Sequence, residues 1–219
     1  MINYQFMVIG SYSIAIAAII GLIRFRKIHR AYQPFIFITI AALLNEICSN
    51  LLIYFQRSNA VSTNIFGLIE SVLWLWQFKR WDAFKRRPWE YSVLVTLIAC
   101  TWVFENIIMG KLFTFSSVFG IVYSFCLVFL SINQVNLQIV QEKRNLFSNP
   151  KFLICTGTII FYTYRILVEC FYLLEMKESD TFLFNIFSIL VFVNIFVNLL
   201  FALAILWIPT RQRFSLPSS

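Results

Sequence analysis

Residues 152–174 read FLICTGTIIFYTYRILVECFYLL, and they decide the fold. Twelve of these 23 residues are Leu, Ile, Phe or Val, no proline or aspartate interrupts them, and yet Arg165 and Glu169 sit among them. About 20 mainly apolar residues are enough to cross a bilayer as a helix. Each large apolar side chain contributes about 0.3–0.6 kcal/mol to insertion, and a central charge costs about 2.5–3.5 kcal/mol. The stretch therefore reads as a transmembrane helix that has given up much of its insertion energy to hold an ion pair. The rest of the chain follows the same pattern.

Of the 219 residues, 60% are hydrophobic, 18% aromatic and only 13% charged, and mean hydropathy is +0.78. Soluble domains run at about 45–50% apolar and 25% charged, so there is too little polar surface here to cover a globule. The same arithmetic excludes disorder and a disulfide scaffold. The reading is an all-α polytopic membrane protein in one domain, 1–219, with seven transmembrane helices. The expected spans are about 5–23, 34–55, 64–78, 91–109, 112–134, 152–174 and 181–208.

Charge sets the expected orientation. Fourteen of the eighteen basic residues fall on one side, in 24–33, in 79–90, at Lys143, Arg144 and Lys151, and at Arg211 and Arg213. Arg57, Lys111 and Lys177 lie on the other, and Arg165 is inside a span. The positive-inside rule puts the N-terminus outside and the C-terminus in the cytoplasm, in a bacterial-type inner membrane. The net charge of +8 is then topological, so no nucleic-acid partner is expected. Partners expected instead are the lipid bilayer, whose anionic headgroups suit the basic loops, and a membrane or cytoplasmic protein docking there. The first span lacks a basic leader and a small-x-small cleavage site, so it reads as a helix and not as a signal peptide.

Spans 1–3 and 5–7 share orientations, with span 4 as inverter, which is the 3+1+3 plan of parallel-repeat transporters. At an offset of 119, Glu46 aligns with Arg165 and Asn50 with Glu169. No span has a proline in its interior; Pro34 sits at a helix start, and Pro88 and Pro150 read as loop residues. Residues 133–143 are Asn/Gln-rich and can continue the fifth helix as a polar extension.

Intramembrane ionisable groups are functional by default, and five occur: Glu46, Glu70, Glu105, Arg165 and Glu169. Tyr162, Arg165, Glu169 and Tyr172 share one helical stripe. Asn45, Glu46, Ser49 and Asn50 make a second stripe, and Gly67, Glu70, Ser71 and Trp74 a third. On the seventh span Asn185 and Ser188, then Asn194 and Asn198, repeat the pattern. The fifth carries a seam of small residues, Ser117, Gly120, Ser124 and Ser131, suited to close helix contact. These depths predict a polar cavity opening outward between spans 2, 3, 6 and 7. Its ligand or proton site is assigned to Glu46, Glu70, Arg165, Glu169, Asn45, Asn50, Tyr162 and Asn185. Arg165 with Glu169 also reads as a structural pair fixing helix register. Glu105 reads as a solvated group near the interface, and the tryptophans as interface anchors.

Other chemistries lack their residues. A single histidine, His29, in a basic loop argues against zinc hydrolysis, Ser-His catalysis and bis-histidine haem. Asp82 and Asp180, the only aspartates, fall on opposite sides and cannot form a dyad. The five cysteines lie in spans without metal spacing and read as small packing residues. No catalytic motif, cofactor or metal site is expected.

The stretch Asn64-Ile65-Phe66-Gly67-Leu68-Ile69-Glu70, before an aromatic-rich segment, and the pair Asn45-Glu46 resemble small seven-span proteins common in Bacteroidota. The resemblance covers most of the chain and implies membrane location and topology, but no activity. Three functions remain: a small-ligand or cation binding and sensing protein, a proton-coupled small-solute transporter, and a structural or assembly subunit.

Overall fold

In the computed structural model the described residues are 8, 10–141, 146–173 and 180–210, without the side chains of 141, 180–185 and 187. They form seven helices: α1 (Ile14–Arg24), α2 (Gln33–Gln56), α3 (Ala60–Arg80), α4 (Pro88–Val103), α5 (Ser117–Gln141), α6 (Pro150–Leu173) and α7 (Asp180–Trp207). Short 3-10 turns and one π-turn, Phe104–Ile108, join them. Five of the seven helical stretches are long and apolar enough to cross a membrane, those of α2, α4, α5, α6 and α7. Helix α1 is short of that length, and the expected first span, 5–23, falls in part on residues 5–7 and 9, which lie outside the described residues.

The chain is an integral membrane protein, and α3 shows why on its own. Its length suits a bilayer, but its mean apolarity is lowered by Asn64, Glu70, Ser71 and Gln77. All four of those are buried, while Ile65, Ile69 and Val72 on its other face are 45–48% exposed. Polar groups inside and large aliphatics outside is the distribution expected of a helix whose solvent is lipid.

Six helices close a ring, in the order α1, α2, α3, α5, α6, α7 and back to α1. Helix α4 stands outside it, packed on α3 and α5. The α5–α6 contact is the most extensive, because Ser117, Ser124 and Ser131 bury their small side chains along it. The 133–143 extension is helical as far as α5 is described, and the Gln138 side chain accepts from Asn149 Nδ2 at 2.8 Å.

Several helix ends differ from the sequence reading. Pro88 and Pro150 open α4 and α6, where a missing N–H leaves nothing unpaired. Helix α5 begins at Ser117 and not at 112, since Gly110 at φ +70 and a 3-10 turn, Lys111–Phe113, turn the chain first. Arg24 reaches the C-terminal carbonyls of α7, at Ile205 (2.8 Å), Leu206 and Ile208 (3.1 Å). This one guanidinium satisfies acceptors that a helix end otherwise leaves orphaned, and it closes the ring between α1 and α7.

The cysteines are not uniformly packing residues. Cys155 is buried, but Cys48 and Cys100 are exposed on the outer faces of α2 and α4. No three His, Cys, Asp or Glu side chains among the described residues converge as a metal site would require.

Candidate functional site

The ring encloses a cavity of about 380 Å³, within the range of small-molecule sites. Its walls come from α2, α3, α6 and α7, with Ser11 and Ile14 added from the first helical segment. Toward the end where α2 passes into α3 it is lined by Ser49, Asn59, Thr63, Phe115 and Tyr172. At the opposite end a cluster of buried rings closes it. Phe35 packs edge-on to Phe201 (centroids 5.1 Å) and 5.9 Å from Trp74, and Phe78 lies 5.9 Å from Trp74. The basic loops thus lie beyond an aromatic floor.

One wall carries an ionic network. Arg165 Nη1 is 3.7 Å from Glu70 Oε2 on α3, and its Nε is 3.8 Å from Glu169 Oε1 one turn along α6. The Tyr123 hydroxyl donates to Glu70 Oε2 at 3.1 Å, and the Arg165 guanidinium stands 5.1 Å above the Tyr123 ring. Trp74 Nε1 donates to the Tyr162 hydroxyl at 3.0 Å. Three helices, α3, α5 and α6, are therefore locked through one cation. A pair alone on α6 does not describe it: Arg165 bridges two carboxylates on two helices, which spreads its compensation.

Helix packing makes room for this network. A Cβ at Gly120 would stand 3.1 Å from Glu169 Oε1, so glycine lets α5 pass this close with the carboxylate left in place. At Gly67 a Cβ would meet the Phe119 ring at 3.1 Å.

Opposite stands Glu46, on an α2 stripe with Thr39, Ala42 and Ser49 that faces the cavity. Its carboxylate lies beside the Ser11 hydroxyl, and no cation among the described residues pairs with it. Among the described residues the cavity therefore holds three carboxylates, Glu46, Glu70 and Glu169, against one guanidinium.

Of the residues assigned from sequence, Glu46, Glu70, Arg165, Glu169, Asn45 and Tyr162 all line the cavity. Asn45 Oδ1 is occupied by the Ser62 hydroxyl at 2.7 Å. Asn50 does not line it; its Nδ2 donates to the Tyr12 hydroxyl at 3.1 Å and to Glu46 O at 2.9 Å, tying α2 toward the first helix. The side chain of Asn185 lies outside the described residues. Asn194 and Asn198 line the cavity, and Asn198 also donates to Ser13 at 2.8 Å.

Two assignments are corrected. Trp74 and Trp81 are 1% and 6% exposed, so they are core residues and not interface anchors. Trp74 was legible on its polar stripe; Trp81 packs on Phe78 and Tyr32, which sequence spacing does not reveal. Glu105 is 1% exposed and not solvated. Its two oxygens accept from the N–H groups of Val118 (3.2 Å) and Phe119 (2.6 Å) at the start of α5, and Lys111 stands 3.8 Å away.

Sequence reading also missed Gln77, whose Oε1 accepts from Phe35 N at 2.8 Å and whose Nε2 donates to Ala31 O at 2.7 Å. Only a lone polar residue inside an apolar run marks it. Against family models, curated proteins and solved structures the chain shows no match, so the site's own chemistry has to carry the function.

Proposed function

We propose that the protein is a seven-span inner-membrane protein whose cavity opens outward and binds a small cationic ligand, acting as a sensor. The observation that carries this is the excess of carboxylates over cations in one cavity of about 380 Å³. Acids inside a membrane protein are costly and face water, a partner or a substrate. Glu70 and Glu169 have Arg165; among the described residues Glu46 has no cation, and a ligand supplies one.

The orientation rests on the basic loops around 24–33 and 79–90, which favour the cytoplasm. That puts the aromatic floor inward and the Ser49, Asn59 and Tyr172 end outward. A sensor of this form needs a partner for output, and the basic inner loops are its docking surface.

A second reading, proton-coupled transport, draws on a separate observation. With α4 outside the ring, two groups of three helices surround the cavity, as parallel repeats do in transporters. The unpaired Glu46 would then carry the proton.

Thermal melting of the detergent-purified protein with amines, metal cations and sugars tests the first reading. A ligand at one hundred times its Kd adds about 2.7 kcal/mol of stability. A compound that shifts wild type but not Glu46→Gln or Glu70→Gln supports binding. No shift with any compound removes the reading. Proton flux in liposomes that needs the same compound and is abolished in Glu46→Gln would favour transport instead.

A further inference from the structure

We infer that the ligand is an organic amine with an apolar body, held with its ammonium group at Glu46 and its body against the aromatic floor. The inference rests on the binding reading above and names the class of ligand for that site.

The cavity's two ends differ in chemistry. Near Glu46 the walls are polar, with Ser11, Ser49 and Asn194. Below it lie Ile14, Ile38, Val197, Trp74 and Phe201. Two of the donors at that depth are already engaged. The Thr39 hydroxyl donates to Ile36 O at 2.9 Å, and the Trp74 N–H is given to Tyr162. A polar group placed there would meet mainly aliphatic and aromatic walls, which do not replace the hydration it loses. An apolar body loses nothing.

Distance along α2 sets the scale. Glu46 and Ile38 are eight residues apart, or about 12 Å at 1.5 Å per residue. A bare metal ion does not fill such a space, and no converging set of three ligands exists for it among the described residues. A short alkyl or aryl chain does. Glu46 is also the cavity carboxylate without a cation of its own among the described residues, so it is the one that an ammonium group neutralises without displacing Arg165.

The test uses the full chain in a neutral detergent, with methyl-, butyl- and hexylammonium chloride, potassium chloride and hexanol as probes. Affinity, read by calorimetry, is expected to rise at least tenfold from methyl- to hexylammonium. Hexanol, which lacks the charge, is expected to bind at least tenfold more weakly than hexylammonium. Glu46→Gln should weaken hexylammonium at least tenfold. Ala42→Phe keeps Glu46 but fills the cavity below it, and should weaken hexylammonium while leaving methylammonium unchanged; it decides the matter if Glu46→Gln does not fold.

Equal, Glu46-dependent binding of methylammonium or potassium overturns the apolar-body inference and leaves the cation reading standing. Hexanol binding as tightly as hexylammonium overturns the inference, because it shows partitioning without charge recognition. Hexylammonium at wild-type strength in Ala42→Phe also overturns it. No binding by any probe overturns both the inference and the cation reading.

Discussion

Two regions of this molecule carry buried acids, and they treat them in opposite ways. At the junction of α3, α4 and α5, Glu105 spends both oxygens on backbone N–H groups at the start of α5. Around it Asn64 donates to the carbonyls of Lys111, Leu112 and Thr114 and accepts from Ser116 N, and Ser116 donates to Asn106. The partners lie in the connection between α4 and α5 and in the first turn of α5. In the cavity, by contrast, Glu70 and Glu169 share one cation, and among the described residues Glu46 has none. A carboxylate fixed by backbone donors is a structural cap; one facing an open volume is, in the function proposed above, a recognition group. Burial alone does not separate the two, since Glu105 and Glu70 are both buried.

That contrast breaks first at Arg165. Removing the shared cation leaves two carboxylates enclosed without compensation, and breaking a buried pair costs about 3–5 kcal/mol. Arg165→Gln is therefore expected to show the largest loss in denaturant unfolding. Adding Glu70→Gln should recover part of it, because the double variant encloses one uncompensated carboxylate, Glu169, in place of two. Equal losses in the single and double variants would show that Arg165 acts through packing instead.

Next comes the junction. Glu105→Ala orphans two helix-start donors, and Asn64→Ala frees three carbonyls; each is expected to cost about 1–3 kcal/mol. Hydrogen exchange separates this from a general loosening: Val118 and Phe119 should lose protection in Glu105→Ala while α6 and α7 keep theirs. Unchanged exchange at those two amides would remove Glu105 as the cap.

Gly120→Ala is expected to cost less, about 1 kcal/mol. The new methyl meets the end of the Glu169 side chain, not backbone, so the carboxylate can swing aside. The α5–α6 seam would hold while the Arg165–Glu169 pair lengthens. A loss as large as that of Arg165→Gln would mean the seam itself had opened.

How much of this was legible in the sequence depends on the kind of signal. The helices follow from apolar runs, which report directly on the solvent around them. The stripes at Glu46, Glu70 and Arg165 follow from helical period, so six of the eight assigned residues line one cavity. Periodicity says which residues share a helix face but not what that face meets. Asn50 lies beside Glu46 on its stripe yet turns to Tyr12. Glu105 looked solvated because depth was counted from a straight helix, whereas the π-turn and Gly110 fold the chain back over it. Trp81 looked like an anchor because a tryptophan at a helix end has the same spacing whether it meets lipid or a neighbouring helix.

The smallest expected effect on stability is the most informative one. Glu46→Gln removes a carboxylate that no cation neutralises among the described residues, and leaves an isosteric amide facing the same cavity. An uncompensated charge in a low-dielectric place is a cost, so its removal is neutral or stabilising. The expected change is within about 0.5 kcal/mol, the range of sites without structural partners, and upward if it moves at all. Chemical unfolding of the two proteins side by side measures it. A loss comparable to that of Glu105→Ala would make Glu46 a structural acid too and erase the distinction between the two regions. Stability kept while amine binding is lost would locate the function in the cavity carboxylate that no cation holds among the described residues.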